Sequence, residues 1–440
     1  MDTLKNLWRK ENIGWTAIVI LTVVPVVRWG MILPLGLRFR TFSVGLTSIA
    51  DILGISGMML FALSLIMSIR TKYFEDFFGG MNKVYIVHHL VGSFALVLLL
   101  CHPLFIAASY AQVSVKSAAL LLIPASDWAL NFGIISLLGL ILLIILTLFI
   151  KLPYQIWRLT HQFMGVAFFS AGLHAYLIPA DVAYDKPLRY YMLAVSVIAL
   201  IGYIYRTLLG RFLVKKYKYF VSAVRLVSRD IIELEMIPAS HSMSFRPGQF
   251  CFIEFRDRAM SSEPHPFSIS SAPTLRELKL TIKSLGDWTN ILQKARSSMT
   301  VYIEGAYGRF IYQDYKDRDQ VWIAGGIGIT PFLSMARTFY QLDYRIDLIY
   351  VVHDQSDAVY FNELLQISGQ NPNFRVFLFE TVKYGHATAQ SIAQMSGQLQ
   401  NKELFICGPP PMMYTLKNQL SQLHVPRRQI HSEEFEIQSK

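Results

Sequence analysis

The sequence has few charged residues and almost no cysteine. Charged residues make up only 16% of the 440 residues, whereas hydrophobic residues make up 53%, and the mean hydropathy is +0.37. This composition is too apolar for a soluble or a disordered chain. The three scattered cysteines exclude a disulfide framework, a Cys-rich zinc site and the C-x-x-C-H motif of covalently attached haem.

The net charge of +11 is unevenly distributed. Residues 1–215 contain 17 Lys and Arg against 8 Asp and Glu, while residues 216–440 contain 24 against 22. Nucleic-acid binding needs a dense basic face on a soluble domain, and the near-neutral second half does not provide one. We therefore expect the basic residues to flank membrane spans, and no nucleic-acid partner.

Six apolar stretches occur in the first half, each close to the roughly 20 residues that cross a hydrocarbon core. They lie at about 13–35, 46–69, 84–108, 130–150, 159–179 and 190–209. The flanks on one side of these stretches contain 13 basic residues and those on the other side contain five. The positive-inside rule then predicts a multi-pass protein of the plasma (inner) membrane, with the N-terminus and the C-terminal half in the cytoplasm.

The second half has a different pattern. Short alternating runs such as YFVSAVRLV and QFCFIEF are typical of an antiparallel barrel, and later strand-like and helix-like runs alternate as in a parallel α/β sheet. The predicted fold class is a multidomain membrane protein. It has a six-helix transmembrane bundle at 1–215, an antiparallel β-barrel domain at 216–318 and an α/β parallel-sheet domain at 319–440.

Four histidines are predicted to form two pairs at membrane depth. His88 and His102 are 14 residues apart in the third span, about 21 Å of helix rise, and His161 and His174 are 13 apart in the fifth. Because the two spans run in the same direction, His88 should lie level with His161, and His102 with His174. Two such pairs provide the iron (metal) ligands of two non-covalent b-haems. The alternative is buried histidines that hydrogen-bond between helices.

Three further details concern these spans. A 13-residue step turns a side chain about 140° off its face, so the fifth span must bend or present its ligands at different angles. Gly92 and Gly165 each follow an inner histidine by four residues, and would let a flat macrocycle approach the backbone or let helices pack closely. His89 points about 100° away from His88 and is expected to be structural.

Four segments of the second half resemble motifs of NADPH oxidases and ferric reductases. They are HPFSISSAP at 265–273, KSLGDWT at 283–289, AGGIGITPF at 324–332 and CGPP at 407–410. With the histidine spacings, the resemblance covers nearly the whole chain in the order of this superfamily, and it is similar to prokaryotic NADPH oxidase-like members. It implies a di-haem membrane domain followed by a ferredoxin-reductase-type module that binds FAD and NADPH or NADH.

The resemblance assigns the first two segments to FAD. Phe267 offers a flat face, Ser268 a hydroxyl that can reach a flavin nitrogen, and Lys283 with the nearby amides suits a pyrophosphate. The alternative for Trp288 is a residue of the barrel core. The implied FAD-binding residues are His265, Pro266, Phe267, Ser268, Lys283, Gly286, Asp287, Trp288 and Thr289.

The other two segments are assigned to the nicotinamide nucleotide. The glycines permit close backbone approach to a phosphate, Thr330 is suited to an N-cap, and Pro331 to the first helical position. Where many relatives have an arginine for a 2′-phosphate, this chain has His353, so NADPH and NADH both stay open. The implied nucleotide-binding residues are Gly325, Gly326, Gly328, Thr330, Pro331, His353, Cys407, Gly408 and Pro409.

Three residues are expected to act in the reaction itself. The resemblance places Cys407 near the nicotinamide ring, although a small buried hydrophobe is the alternative. Phe435 resembles the C-terminal aromatic residue that covers the flavin, but here five residues follow it. Arg28, near the outer end of the first span, is suited to neutralise a haem propionate or attract superoxide; the alternative is a snorkelling side chain.

These observations lead to one functional hypothesis with alternatives. Cytosolic NAD(P)H reduces FAD, and electrons pass through two b-haems to an outer acceptor, O₂, which becomes superoxide. The alternatives are a ferric-chelate reductase with the same wiring, a membrane electron-donor subunit for an extracytoplasmic protein, and a transporter or channel. The outer loops are short, which favours a small acceptor. No obligatory regulatory subunit and no built-in calcium switch are indicated.

Overall fold

The computed structural model describes residues 10–257, 260, 263–315, 317–338 and 344–434. They form two compact units that divide between Val214 and Lys215. The first unit is helical. Its helices are α1 Lys10–Ile32, α2 Leu35–Arg38, α3 Phe42–Met67, α4 Lys72–Phe78, α5 Met81–Ala111, α6 Val115–Leu120, α7 Trp128–Ile144, α8 Tyr154–Gln162, α9 Met164–Leu177, α10 Asp181–Tyr184, α11 Lys186–Tyr203 and α12 Gly210–Leu213.

Five helices in the described part of this unit are long and apolar enough to cross a membrane. They are α1, α3, α5, α7 and α11, and the last two continue into single π-helical turns, Ile145–Phe149 and Ile204–Leu208. The remaining predicted span, 159–179, is divided into α8 and α9, and each piece is too short by itself. The count of six spans therefore stays a prediction.

The division of the fifth predicted span lies between its two histidines. At Phe163 the backbone N–H donates to the carbonyl of Thr160 at 3.0 Å, a tightened turn that ends α8 and begins α9. His161 lies in the last turn of α8 and His174 in the last turn of α9. The helix is therefore interrupted between the two histidines, which agrees with the expectation that this span bends or presents its ligands at different angles.

Side-chain caps and small residues explain where these helices begin and how closely they pack. Asp127 accepts from the N–H of Ala129 at 2.8 Å at the start of α7, and Asp185 accepts from Leu188 at 2.9 Å at the start of α11. Between α3 and α5, a Cβ on Gly57 would lie only 2.8 Å from Leu99 Cγ. Small residues at such crossings allow the close contact that holds membrane helices together.

The second unit begins with a curled antiparallel sheet. Its strand order is β4-β3-β6-β1-β2-β5, all pairs are antiparallel, and a bridge between Ile269 and Leu280 connects residues at its two edges. Its inner face packs a buried core that includes Leu234, Ile253 and Leu280. The strands are β1 Tyr217–Ser228, β2 Ile231–Pro238, β3 Phe250–Phe255, β4 His265–Ser268, β5 Leu278–Lys283 and β6 Thr300–Tyr307.

A parallel five-stranded sheet follows, in the order β11-β10-β7-β8-β9. Its central strands are buried on both faces, which explains their continuous apolar sequence. The strands are β7 Asp319–Gly325, β8 Arg345–Val352, β9 Phe374–Glu380, β10 Glu403–Cys407 and β11 Ile430–Glu433. The helices of this unit are α13 Asp287–Ile291, α14 Thr330–Ala336, α15 Phe361–Gln370, α16 Thr381–Tyr384, α17 Ala389–Ser396 and α18 Pro410–Gln422.

Candidate functional site

The structure brings the four predicted membrane histidines together as two facing pairs. The ring centres of His88 and His161 are 6.3 Å apart, and those of His102 and His174 are 6.4 Å apart. The metal–imidazole bond is about 2.0 Å and the ring nitrogen lies about 1.1 Å from the ring centre. An ion held between two facing imidazoles therefore separates the centres by about 6.2 Å. Both pairs fit this spacing.

Backbone carbonyls orient three of the four rings. The Nδ1 atom of His88 is 2.9 Å from the carbonyl of Ser64 on α3. The Nδ1 atom of His102 is 2.7 Å from the carbonyl of Ala50, and that of His174 is 2.8 Å from the carbonyl of Ala129. A carbonyl can only accept, so Nδ1 has the proton and Nε2 is the unprotonated nitrogen available to a metal.

His161 is held differently from the other three histidines. Its ring stacks on Trp157, with centres 5.3 Å apart and planes 11° apart. Its Nδ1 atom is buried and has no hydrogen-bond partner among the described residues. Trp157, one turn earlier on α8, therefore orients the ring of His161, whereas a backbone carbonyl orients each of the other three rings.

Two glycines that the sequence analysis missed make room for the outer pair. A Cβ on Gly54 would lie 2.9 Å from His102 Nδ1, and a Cβ on Gly133 would lie 2.8 Å from His174 Nδ1. Each glycine is four residues after the alanine whose carbonyl accepts from that histidine. The signal present in the sequence was this shared Ala-x-x-x-Gly spacing in the second and fourth spans.

The two glycines that the sequence analysis did single out face neighbouring helices. A Cβ on Gly92 would lie 3.1 Å from Ser64 Oγ, and a Cβ on Gly165 would lie 2.3 Å from the ring of Tyr203. Helix packing, the second of the two interpretations, is therefore the one that their surroundings support. His89 is exposed on α5 and is not part of either pair.

These observations fit two bis-imidazole haems. Each pair has the spacing of two axial ligands, and three rings are fixed in the tautomer that leaves Nε2 free. No cluster of three or more His, Cys, Asp or Glu side chains suited to a metal ion occurs in the part of the chain that the structure describes.

Arg28 pairs with an acidic residue that lies far away in the sequence but beside it in the structure. Its Nε donates to Asp185 Oδ1 at 3.0 Å and its Nη2 to Asp185 Oδ2 at 2.6 Å. A bidentate pair of this kind neutralises the guanidinium and fixes its direction. Asp185 thus already balances the charge of Arg28. The role in catalysis that the sequence suggested for Arg28 stays a hypothesis.

An aromatic stack marks the first of the two FAD segments. His265 and Phe267 on β4 both stack on Trp288, with ring centres 4.0 and 5.7 Å away. Trp288 also packs against the core of the curled sheet, as its alternative interpretation held. Pro266 and Ser268 lie on the same strand, opposite Phe252 and Phe250 of β3.

The second FAD segment forms a tight turn. The N–H groups of Leu285 and Gly286 both donate to Thr289 Oγ1 at 2.9 Å, so these two amides are engaged within the turn and do not point freely outward. Lys283 is half-exposed and lies 3.3 Å from Asp230. Asp287 begins α13, and its side chain lies outside the described part of the structure.

The two nucleotide segments meet at the carboxyl ends of β7 and β10. These strands are parallel neighbours, with Cys407 opposite Ala324. A Cβ on Gly328 would lie 2.3 Å from the Cys407 carbonyl oxygen, and one on Gly325 would lie 2.8 Å from Pro409 Cδ. The contact of the two loops therefore requires these glycines. Gly326, with φ of +52°, supplies the turn between them.

Cys407 is fully buried, and Glu433 lies beside it. Burial raises the pKa of the Cys407 thiol well above its usual range, and the Glu433 carboxylate raises it further, so the group is a neutral thiol. Glu433 is itself buried and pairs with Cys407 in the register of β10 and β11. The sequence analysis gave Glu433 no role; the available signal was a charged residue in the last strand-like run. Phe435 lies outside the described residues.

Four further nucleotide residues are placed as follows. Thr330 is the first residue of α14 and its hydroxyl donates to the carbonyl of Ile327 at 3.1 Å, so it is not the N-cap residue that the sequence suggested. Pro331 is the second residue of α14, one position after the first helical position that the sequence suggested. His353 is exposed just after β8, and Gly408 lies against Gly325.

Comparison with known proteins assigns both units. Residues 53–172 match the family described as ferric reductase like transmembrane component, and residues 216–378 match the FAD-binding domain family. The first match contains His88, His102 and His161 and ends two residues before His174. This is the domain architecture of NADPH oxidases and ferric reductases. The chain is an oxidoreductase with an FAD-binding reductase unit.

Curated relatives match the second unit. The ferredoxin reductase component of 3-ketosteroid-9-alpha-monooxygenase from Mycolicibacterium smegmatis is 27% identical over 206 residues, 45% of this chain and 57% of the relative. The glycine betaine monooxygenase reductase subunit from Pseudomonas aeruginosa is 28% identical over 208 residues, 43% of this chain and 56% of the relative. The chain spans little more than half the length of these relatives.

One solved structure is similar over most of the chain. Flavohemoglobin from Malassezia yamatoensis, with bound FAD and heme, has a TM-score of 0.51 at 17% identity, and the similarity covers 89% of this chain and 96% of that protein. At this identity the similarity concerns the fold alone.

The contact between Gly328 and Cys407 in the FAD-binding reductase unit gives a first testable prediction. Gly328→Ala is expected to weaken nucleotide binding by about tenfold and to lower the unfolding midpoint, because overpacking against a backbone carbonyl costs about 1–3 kcal/mol. Gly369→Ala on α15 is the matched control, since its Cβ would meet nothing within 4 Å. Titration of the flavin absorbance with NAD⁺, which cannot reduce the flavin, measures the dissociation constant; equal constants in the two variants would contradict the prediction.

Proposed function

We propose that the protein transfers electrons across a membrane from NADH or NADPH, through FAD and two b-type haems, to an acceptor on the outer side. The observation that carries the proposal is the pair of facing histidine sets with centres 6.3 and 6.4 Å apart. The same chain has an FAD-binding reductase unit. FAD would accept two electrons from the nucleotide, and each of the two haems would carry one electron at a time.

Each group of residues has a defined task in this proposal. Hydride acceptance by FAD and one-electron transfer by haem iron are the chemistry that these groups supply when bound. His88 and His161 hold the inner haem, and His102 and His174 hold the outer haem. The two FAD segments hold the flavin, and the glycine loops beside Cys407 hold the nucleotide, with Phe435 as the proposed flavin cover.

The acceptor that the outer residues favour is O₂. Arg28 is paired with Asp185, and buried Arg38 is paired with Asp181 at 2.8 Å. These pairs leave little unbalanced positive charge to attract an anionic ferric chelate, whereas a small neutral molecule needs none. The overall reaction converts one NAD(P)H and two O₂ into NAD(P)⁺, one proton and two superoxide ions.

The acceptor is tested by a direct comparison. Purified, haem-loaded protein is expected to reduce cytochrome c in air with NAD(P)H, and superoxide dismutase is expected to abolish most of this rate. Ferric-chelate reduction without oxygen is measured beside it. If dismutase has no effect and ferric reduction runs faster than oxygen consumption, the oxidase proposal is wrong and a ferric reductase takes its place.

The sidedness of the protein is also a proposal. The basic flanks support a cytoplasmic N-terminus and reductase unit, with the protein in the plasma (inner) membrane.

NADH and NADPH are both retained as electron donors, because His353 is exposed and lacks the bidentate fork of an arginine. A purified protein without a Soret band or flavin fluorescence would instead indicate a transporter or channel.

A further inference from the structure

Ser334 of α14 and Arg337, the residue that caps this helix at its C-terminus, contact the end of the first FAD segment. Ser334 Oγ donates to the carbonyl of Ser271 at 2.7 Å, and Arg337 Nη1 donates to the carbonyl of Ser270 at 2.7 Å. Ser334 and Arg337 are three residues apart, so they lie on one face of the helix, and they bind two consecutive carbonyls. We call these two hydrogen bonds the flavin-loop clamp.

Arg337 is fixed from its other side as well. Its Nε donates to Glu363 Oε1 at 2.6 Å and its Nη2 to Glu363 Oε2 at 2.9 Å. Glu233 of the curled sheet lies 3.7 Å from the guanidinium, and the ring of Tyr360 lies 5.2 Å from its Cζ. The bidentate pair sets the direction of the one N–H that reaches Ser270.

The carbonyls that accept these bonds are themselves held by the sheet. The N–H of Ser270 donates to the carbonyl of Lys279 at 2.9 Å, and the N–H of Lys279 donates to Ser271 Oγ at 3.1 Å. Thr281 Oγ1 also donates to Ser270 Oγ at 3.1 Å. Because Ser270, Ser271 and Ser334 are fully buried, water does not compete for these bonds.

The flavin-loop clamp joins a segment that is assigned to FAD with a helix that follows a segment assigned to the nucleotide. The two carbonyls lie two and three residues after Ser268 of the FAD segment, and α14 begins two residues after Gly328 of the nucleotide segment. We propose that Ser334 and Arg337 are positioning residues that set the distance between the nicotinamide ring and the flavin. Hydride transfer needs reacting atoms about 3–3.5 Å apart, and a displacement of about 1 Å costs on the order of 100-fold in rate.

This inference rests on the proposed reduction of FAD by NAD(P)H, and its test separates the two. Anaerobic stopped-flow absorbance on the full-length protein measures the flavin-reduction rate constant, and the FAD dissociation constant is measured separately by fluorescence. Arg337→Lys retains the charge but loses the fork, and is expected to lower the rate constant at least about tenfold. Its FAD dissociation constant should stay within about twofold of that of the wild-type protein. The change in flavin absorbance that accompanies NAD⁺ binding should differ from that of the wild-type protein.

The matched control is Arg375→Lys. Arg375 pairs with buried Asp347 at 2.7 Å between two strands of the parallel sheet, whereas Arg337 binds the FAD segment. It is expected to keep the wild-type reduction rate. Ser334→Ala serves if Arg337→Lys fails to fold, with a smaller decrease of about threefold expected from the loss of one neutral hydrogen bond.

Two results would overturn the clamp. One is a wild-type reduction rate in the variant that folds; the other is a rate that falls only in parallel with FAD affinity, which is what a merely structural contact would produce. Absence of flavin reduction in the wild-type protein with either nucleotide would contradict the proposed function instead.

Discussion

Replacement of His102 by leucine is expected to lower the haem content of the purified protein from two per chain to one. His102 and His174 face each other as one pair, and His88 and His161 form the other on a separate level about 20 Å along the helices. Loss of one axial ligand should therefore release only the outer haem. The pyridine haemochrome assay measures the content, and the same result is expected for His174→Leu.

His89→Leu is the control for this change. His89 lies on the same helix as His102 but is exposed and outside both pairs, so this variant should retain two haems. A redox titration should then show one component in the His102 variant and two in the His89 variant. A wild-type protein with one haem per chain, or none, would contradict the assignment of all four histidines.

Gly133→Ala is expected to remove the outer haem without changing any ligand. The new Cβ would lie 2.8 Å from His174 Nδ1, so the ring must move and its hydrogen bond to the Ala129 carbonyl must break. Alanine stabilises a helix by about 1 kcal/mol relative to glycine. A loss of haem from this variant therefore cannot be explained by a weaker helix. Haem content and the Soret spectrum report it, and Gly54→Ala should act in the same way through His102.

Gly139→Ala provides the comparison on the same helix. Its Cβ would lie 3.9 Å from the Cβ of Ala167, an ordinary contact, so two haems and equal or higher stability are expected. If Gly133→Ala and Gly139→Ala hold the same amount of haem, then Gly133 is not needed to position His174.

The histidine pairs were predictable because they depend on spacing along helices. A residue interval converts directly into rise and rotation. The intervals of 14 and 13 residues were therefore enough to predict two levels, and a fifth span that bends or presents its ligands at different angles. The exact break at Phe163 was not predictable, because no proline occurs between His161 and His174. The N-cap expected at Thr330 was wrong because Gly326–Ile329 already forms a helical turn ahead of it.

Local patterns were enough to predict the apolar stretches, the two histidine levels, the change to a sheet-forming second half and the motifs of the reductase unit. These features are local, since periodicity, composition and short spacings need no knowledge of the rest of the chain. Which groups complete the sites depends on contacts between distant segments, and the folded structure was needed to identify them. Arg28 and Asp185, Ala129 and His174, and Ser270 and Arg337 are each separated by between 45 and 157 residues. Such contacts depend on how helices and sheets pack, and a packed arrangement leaves no periodic trace in either partner's own segment.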